Sequence, residues 1–445
     1  MASAMRFERL DDWLHWLESH HPTEIELGLT RIRVVAERLD LLTPQARVIS
    51  VAGTNGKGSC VAACAALLQA AGQRVGAYTS PHLQRYNERV RVDGVPVSDD
   101  ELCRAFARID AASADTSLTY FEFGTLAALL IFRDRAVDVM VLEVGLGGRL
   151  DAVNLLDANA AVVTSVDLDH QAWLGDNRDS IGREKAGIYR TGQIALCADD
   201  QPPEGLLVAA RERGVALQRV GEQFGFTVRE DQWCWWGQGP AGEPQQCQFE
   251  RPVLPWPSLA AALQVVAQLG YQVEPLARAC ELGRLTLPGR YQVRAWEGRT
   301  LVLDVAHNPA AARHLAARLV DDSAGETHVV IGMMADKDRV ATLAPLAPIM
   351  AYCWLVSLPD VPRAATVVQL AKDLEGLGVS ASGCGTVAEL MARLRQESRP
   401  GDRIVVMGSF YTVSAALDWF EAESAPPGPE THDDPVRTNL ESNHE

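Results

Sequence analysis

Gly53-Thr54-Asn55-Gly56-Lys57-Gly58-Ser59 lies between an apolar run, Arg47 to Ala52, and an Ala-rich segment, Cys60 to Ala71, with helical periodicity. Strand, glycine-rich loop and helix in that order make a seat for phosphate. The glycines let the backbone curl and turn its N–H groups inward, the helix N-terminus carries partial positive charge, and a lysine reaches the outer phosphates. Lys57 is that lysine, and Ser59 offers a hydroxyl to Mg²⁺. The spacing departs from the common phosphate-loop pattern, because Val51 stands where a further glycine is usual and Gly58 separates Lys57 from Ser59. The plain alternative is a glycine-rich turn with an incidental lysine.

Outward from the loop, apolar runs alternate with helical stretches. Arg47 to Ala52, Val75 to Thr79, Val137 to Val144 and Ala160 to Val166 read as strands of a parallel sheet with crossover helices, an arrangement that collects ligand groups at the carboxyl ends of its strands. Gln232 to Pro255, rich in Trp, Gln and Gly, reads as irregular or antiparallel, and its Trp233, Trp235 and Trp236 as packing. A helix over Leu259 to Leu269 leads to a second α/β series with strands at Thr300 to Asp304, Thr327 to Gly332, Met350 to Ser357 and Arg403 to Met407. The expected fold class is α/β: a P-loop-type nucleotide-binding domain with a mainly parallel sheet, over 1–288, plus a second, smaller Rossmann-like α/β domain over 289–423. Residues 424–445, with Pro426, Pro427 and Pro429, lack apolar periodicity and read as a disordered tail.

Composition sets limits on partners. The chain has 445 residues, 47% hydrophobic and 22% charged, with a net charge of −17. That charge, without a basic block, argues against nucleic acid, while a small anion needs only local positive potential. No stretch approaches about 18 uninterrupted apolar residues, which argues against a membrane span. The N-terminus lacks a secretory core, and the nine cysteines are scattered, so a reducing cytoplasm is expected. Cys60 and Cys64, one helical turn apart, read as small buried hydrophobes.

Polar groups cluster just after the first-sheet strands. Glu143 ends a buried strand and is followed by Gly145, Gly147 and Gly148; a lone carboxylate there is costly unless paired or bound to metal. Ser80 caps another strand, Asp167, Asp169 and His170 cap a third, and Lys185 follows. Singly, each reads as structural. Together, at the ends of adjacent strands beside a phosphate loop, Ser59, Ser80, Glu143 and His170 read as a Mg²⁺ set of oxygens and one nitrogen.

The stretches GTNGKGS at 53–59, YTSPHL at 78–83, LTYFEFGT at 118–125, LEVGLGGRLDAVN at 142–154, DHQAWLG at 169–175, REKAGI at 183–188, LPGR at 287–290, DVAHNP at 304–309 and GSF at 408–410 together resemble the folylpolyglutamate synthase and dihydrofolate synthase family of Mur-type ligases. The resemblance runs from about Ile25 to Val413. It implies an ATP-dependent ligase that joins L-glutamate to 7,8-dihydropteroate or to the glutamate tail of reduced folates through an acyl phosphate. The N-terminal domain would bind ATP and the pterin or folate, and the C-terminal domain would close on ATP and bind glutamate.

Residue by residue, it implies nucleotide contacts at Thr54, Asn55, Gly56, Lys57, Gly58, Ser59, Arg290 and Asp304, and metal positions at Ser59, Ser80, Glu143 and His170. Lys185 matches a lysine carried as a carbamate, an anionic oxygen donor beside the metal. Lys57, Glu143, His170, Lys185 and His307 are the expected catalytic group. Ile25, Glu26, Thr119, Tyr120, Phe121, Glu122, Leu150, Asp151 and Ala152 are the expected pterin-substrate contacts, with core packing the alternative for Phe121. ATP and Mg²⁺ are the implied cofactors, with a monovalent cation alongside, and the chain is expected to act as a monomer. Ser258 stands where the family usually has an Asn that contacts the nucleotide. Two other readings remain: a Mur-type ligase for another carboxylate, and a non-catalytic nucleotide switch.

Overall fold

The computed structural model describes residues 5–424 apart from 24, 230, 231, 323 and 324. Ser424 closes the last helix, Phe410–Ser424, and the rest of the expected tail lies outside the described residues. The first sheet contains β1 (Arg47–Ala52), β2 (Val75–Tyr78), β3 (Val90–Val92), β4 (Val95–Pro96), β5 (Val139–Glu143), β6 (Ala160–Val163), β7 (Ile194–Cys197) and β8 (Leu217–Arg219), in the order β4-β3-β2-β5-β1-β6-β7-β8. Its strands run parallel from β2 to β8. β1 and β5 are apolar on both faces because helices cover both, so neither shows the alternation of a half-solvated strand.

The antiparallel β3–β4 hairpin extends the edge. It turns at Asp93 (φ 51°) and Gly94 (φ 79°), the two left-handed residues that a two-residue hairpin turn requires.

One face of this sheet packs on Trp13, Phe106, Phe123 and Phe132. The other packs on the helix Lys57–Ala70 and, behind it, the helix Trp256–Gln268. Cys60 and Cys64 are buried and unpaired inside that second core, as their spacing suggests. β9 (Gly225–Arg229), β10 (Gln232–Gln238) and β11 (Pro244–Glu250) form a separate antiparallel sheet. Trp235 is fully buried there and donates its indole N–H to the Ala260 carbonyl at 3.2 Å, so it is core.

The second sheet holds β12 (Gln292–Trp296), β13 (Arg299–Asp304), β14 (Thr327–Ile331), β15 (Tyr352–Val356), β16 (Ala381–Gly385) and β17 (Arg403–Met407), in the order β12-β13-β17-β14-β15-β16. All pairs are parallel except β12–β13. Buried Arg403 ties this sheet together, donating to the Leu319 carbonyl at 2.7 Å and to Thr327 Oγ1 at 3.0 Å. Among the described residues, no helix is long and apolar enough to cross a membrane.

Candidate active site

The carboxyl ends of both parallel sheets border one cavity of about 1210 Å³. On the first sheet, β1 ends in the loop Gly53–Ser59, and the following helix begins with Gly56 in the left-handed region (φ 83°). Neighbouring atoms leave no room for side chains there: a Cβ on Gly53 would lie 1.9 Å from Thr164 Oγ1, and one on Gly56 would lie 2.4 Å from Ser258 Oγ.

The loop is fastened from outside. Thr164 Oγ1 donates to the Asn55 carbonyl at 2.7 Å, the Asn55 N–H donates to Ser165 Oγ at 3.0 Å, and the Thr54 N–H donates to the Ser165 carbonyl at 2.8 Å. Ser258 Oγ donates to the Gly56 carbonyl at 3.0 Å. The departure noted at this position therefore has a use: the shorter side chain braces the turn. Lys57 Nζ folds back on the Gly53 and Thr54 carbonyls at 3.1 and 3.2 Å. Burial lowers its pKa, and Glu143 and Asp169 oppose the shift.

Ser59 and Glu143 are both buried. The helix start lies close to the carboxylate: a Cβ on Gly58 would sit 3.6 Å from Glu143 Oε2, in ordinary van der Waals contact. The Ser80 N–H donates to the same oxygen at 3.2 Å. Burial raises the Glu143 pKa; Lys57 and that N–H pull it down. Among the described residues, no group of three or more His, Cys, Asp or Glu side chains is gathered as a metal set. Two hydroxyls, one buried carboxylate and the nearby His170 instead suit a hard ion that keeps waters and shares phosphate oxygens, which fits Mg²⁺.

His170 sits in the left-handed region (φ 51°), and its imidazole is held down at about 4, first by desolvation and then by Lys337 and Lys57 against Asp169. Lys185 is buried and lines the same cavity. Desolvation, with Lys57 nearby, pulls its ammonium down to about 7.

The second sheet supplies the opposite wall. β13 ends at Asp304, which accepts N–H bonds from Tyr291 and Ala306 at 2.8 Å each. Burial raises its pKa, opposed by Arg290. The Arg290 guanidinium stands 5.0 Å from the Phe410 ring centre. His307 Nδ1 lies 2.9 Å from the Val305 carbonyl, and its Nε2 lies 3.5 Å from Asp169.

The two walls already touch. Lys337 Nζ meets Asp169 at 2.5 Å, and Asn55 and Asn308 exchange amide hydrogen bonds at 3.0 and 2.9 Å. Burial raises the Asp169 carboxyl, but His307, His170 and Lys337 outweigh it and hold it well below the usual carboxylate range.

The expected substrate contacts form a neighbouring group. Thr119 caps the helix Tyr120–Asp134 and shares a capping box with Glu122. Glu122 is buried and pairs with Arg31 at 3.2 Å; Arg31 also bonds Glu26, the neighbour of Ile25. Leu150 accepts the Gly28 N–H at 3.2 Å, which joins the first and third stretches. Asp151 is buried and accepts the Leu146 and Val153 N–H groups at 2.8 and 2.9 Å, so it shapes its own loop. Burial pushes its carboxyl up to about 6, against those N–H bonds. Ala152 is buried beside it. Phe121 packs over Gly145, where a Cβ would lie 2.6 Å from the ring. None of these side chains is among the described residues that line the large cavity; Gly145, Leu146 and Gly147 line it in front of them.

Residues 289–410 match the family model of the Mur ligase glutamate ligase domain. The dihydrofolate synthase/folylpolyglutamate synthase of Escherichia coli (strain K12) is 41% identical over 93% of this chain and 96% of its own length. The chain belongs to the dihydrofolate synthase/folylpolyglutamate synthase family. It is an ATP-dependent ligase, and the nucleotide-switch reading is set aside. Among solved structures, E. coli FolC in complex with DHPP and ADP superposes with a TM-score of 0.88 at 40% identity, covering 95% of this chain and 100% of that one. A bifunctional folylpolyglutamate synthase/dihydrofolate synthase with Mn, AMPPNP and L-glutamate bound gives 0.86 at 42% identity, over 95% and 100%.

Sequence reasoning missed several residues that shape the walls of the cavity. Thr164 and Ser165 fasten the phosphate loop from the end of β6, where the run was read as continuing to Val166. Asn308 and Lys337 reach the first sheet's loops from 253 and 168 residues away. For Asn308 a signal was present in DVAHNP; an isolated lysine such as Lys337 gave none.

Proposed function

We propose that this ligase joins the α-amino group of L-glutamate to the carboxylate of 7,8-dihydropteroate, giving dihydrofolate, and in a second reaction to the glutamate tail of a reduced folate. The observation that carries the reading is the convergence of Lys57, Glu143, Lys185, Arg290 and Asp304, from two sheets, on one cavity. A carboxylate is a poor acyl donor. One of its oxygens therefore attacks the γ-phosphorus of ATP and ADP departs; the glutamate amine then attacks the acyl carbon, loses a proton, and inorganic phosphate leaves with the carboxylate oxygen.

In this reading the loop Thr54 to Ser59 cradles the phosphates, with the backbone N–H groups from Gly56 to Ser59 turned to them while those of Thr54 and Asn55 tie the loop to Ser165, and Lys57 leaves its carbonyl partners for the outer phosphates. Arg290 and Asp304 hold the nucleotide from the second sheet, with His307 next to them. When bound at Ser59, Ser80, Glu143 and His170, Mg²⁺ supplies positive charge against the developing phosphoryl charge. Lys185, part of it a neutral amine near pH 7, is in the form that adds CO₂ to become a carbamate. The stretch around Thr119 to Glu122, with Ile25, Glu26 and Leu150 to Ala152, shapes the pterin end.

Residues 1–288 and 289–423 act as two domains whose closure excludes water from the acyl phosphate. Monomeric action rests on the family resemblance, and a cytoplasmic location is supported by nine free cysteines. A monovalent cation rests on the family resemblance alone.

The test is ADP release by the purified protein with Mg²⁺ and L-glutamate, with and without 7,8-dihydropteroate or a reduced folate, the products identified by mass. The reading requires acceptor-dependent ADP and an adduct one glutamate longer. ADP release that ignores both acceptors would contradict it.

A further inference from the structure

Three arginines are buried among the described residues: Arg89, Arg299 and Arg403. A guanidinium stays charged at all working pH values and has five N–H donors to satisfy. Arg299 spends its donors on Ser398 Oγ and on the Arg395 and Ser398 carbonyls, and Arg403 spends its two terminal nitrogens on the Leu319 and Asp322 carbonyls and Thr327 Oγ1, its Nε buried without a partner.

Arg89 differs. It makes one side-chain hydrogen bond, from Nε to His82 Nδ1 at 2.9 Å, and no carboxylate pairs with it among the described residues. Its guanidinium carbon lies 5.2 Å from the Tyr86 ring centre and 5.5 Å from that of Tyr120. Its terminal nitrogens are not sealed in the interior, and the residue lines the large cavity. His82 holds the fork by its inner edge as a neutral imidazole, held down at about 4 by desolvation and by Arg89 itself.

We propose that Arg89 is the docking point for the acceptor's reacting carboxylate, with Tyr86 and Tyr120 fixing the plane of the fork and His82 its rotation. A buried cation without a protein anion is expensive, and a substrate anion completes it. Position selects which anion. The phosphates have Lys57, the loop N–H groups and Arg290. Arg89 instead stands 5.5 Å from the ring centre of Tyr120, on the expected pterin wall, lines the same cavity as Glu143, and lowers the Glu143 carboxyl through space. A carboxylate gripped there in two-point fashion is held next to the phosphate loop, and its repulsion from Glu143 and the triphosphate is offset. Both acceptors present a carboxylate at the reacting end, so one arginine serves both. This inference rests on the acceptor chemistry proposed above.

The experiment compares wild type, Arg89→Gln and Arg89→Lys as full-length protein, with thermal unfolding to show that each is folded. Binding of 7,8-dihydropteroate, of its neutral carboxamide and of ATP is measured directly, together with KM for dihydropteroate and for glutamate. Arg89→Gln is expected to weaken dihydropteroate by about 30-fold or more, the scale for removing one partner of a buried charge pair. Arg89→Lys recovers part of the loss, ATP binding stays within about twofold, and the carboxamide binds all three proteins alike.

Unchanged dihydropteroate affinity, an equal loss for the carboxamide, or a loss confined to the glutamate KM would overturn the assignment. If Arg89→Gln fails to fold, the carboxamide discrimination in wild type and Arg89→Lys decides it. Arg89-dependent binding in a wild-type protein that adds no glutamate would overturn the proposed reaction and leave the docking point standing.

Discussion

The loop after β1 and the loop after β13 each leave the carboxyl end of a strand and enter a helix N-terminus at the cavity, β1 from the interior of its sheet and β13 from beside the edge strand β12. They are built on opposite plans. Gly53 to Ser59 uses glycines and backbone groups, and Thr164, Ser165 and Ser258 fix its shape from outside. Asp304 to Asn308 has no glycine and works through side chains: Asp304 holds its own turn, Asn308 caps the helix Pro309–Asp321 by accepting the Ala311 N–H at 3.0 Å, and the Asn308 amide crosses to Asn55. In the proposed reaction the first loop serves as a fixed cradle and the second as an arm. Phosphate recognition by N–H groups needs geometry set in advance, whereas a wall that must close on a ligand needs side chains that can exchange partners.

The largest effect expected from this contrast is at Lys57. Lys57→Ala should cut glutamate-dependent turnover by about a thousandfold or more, with thermal unfolding almost unchanged, because its ammonium touches only two loop carbonyls. Full turnover in that variant would break the assignment of the cradle. Gly53→Ala comes next. With φ at 152° and Thr164 Oγ1 in the way, it should destabilise the protein by about 3 kcal/mol in denaturant titration and weaken ATP binding. Tight ATP binding by the alanine variant would show that the loop is softer than described.

Asn308→Ala sharpens the other side of the comparison. Loss of a helix cap should cost about 1–2 kcal/mol while ATP affinity changes little, since the cradle keeps its own fastenings. Abolished nucleotide binding would mean that the two loops are not separate in function. Ser258→Ala is the mildest. Removing one hydrogen bond to the Gly56 carbonyl should cost about 1 kcal/mol and raise the KM for ATP by a few-fold, measurable by steady-state kinetics; an unchanged KM would leave the brace without a role in nucleotide binding.

The same contrast explains what could be read from sequence. β1 and β17 appear where continuous apolar runs put them, since burial on both faces leaves a strong local signal. β16, Ala-Ser-Gly-Cys-Gly, carries no such signal, because as an edge strand it is held by pairing to β15. The β3–β4 hairpin was overlooked despite its Asp93-Gly94 turn, because three- and two-residue strands are too short to show alternation.

At the site, the cradle is one contiguous motif and was legible, as were Ser80 and Glu143 at strand ends. Arg89 ends a short 3₁₀ turn, Tyr86–Arg89, just before β3 and carries no signal in the sequence; the rings beside it, and the lack of a carboxylate partner among the described residues, set it apart. Leu150 to Ala152 were expected at the substrate, yet Asp151 is consumed by its own loop; what lies in front of it is the glycine-rich backbone.

The most direct test of the account is to follow a heavy-oxygen label from the carboxylate of 7,8-dihydropteroate during turnover with ATP and L-glutamate. Phosphorylation of that carboxylate in the cradle predicts that one labelled oxygen leaves with inorganic phosphate for every dihydrofolate formed. Phosphate free of label, with dihydrofolate still produced, would contradict an acyl phosphate and with it the division of work between the two loops.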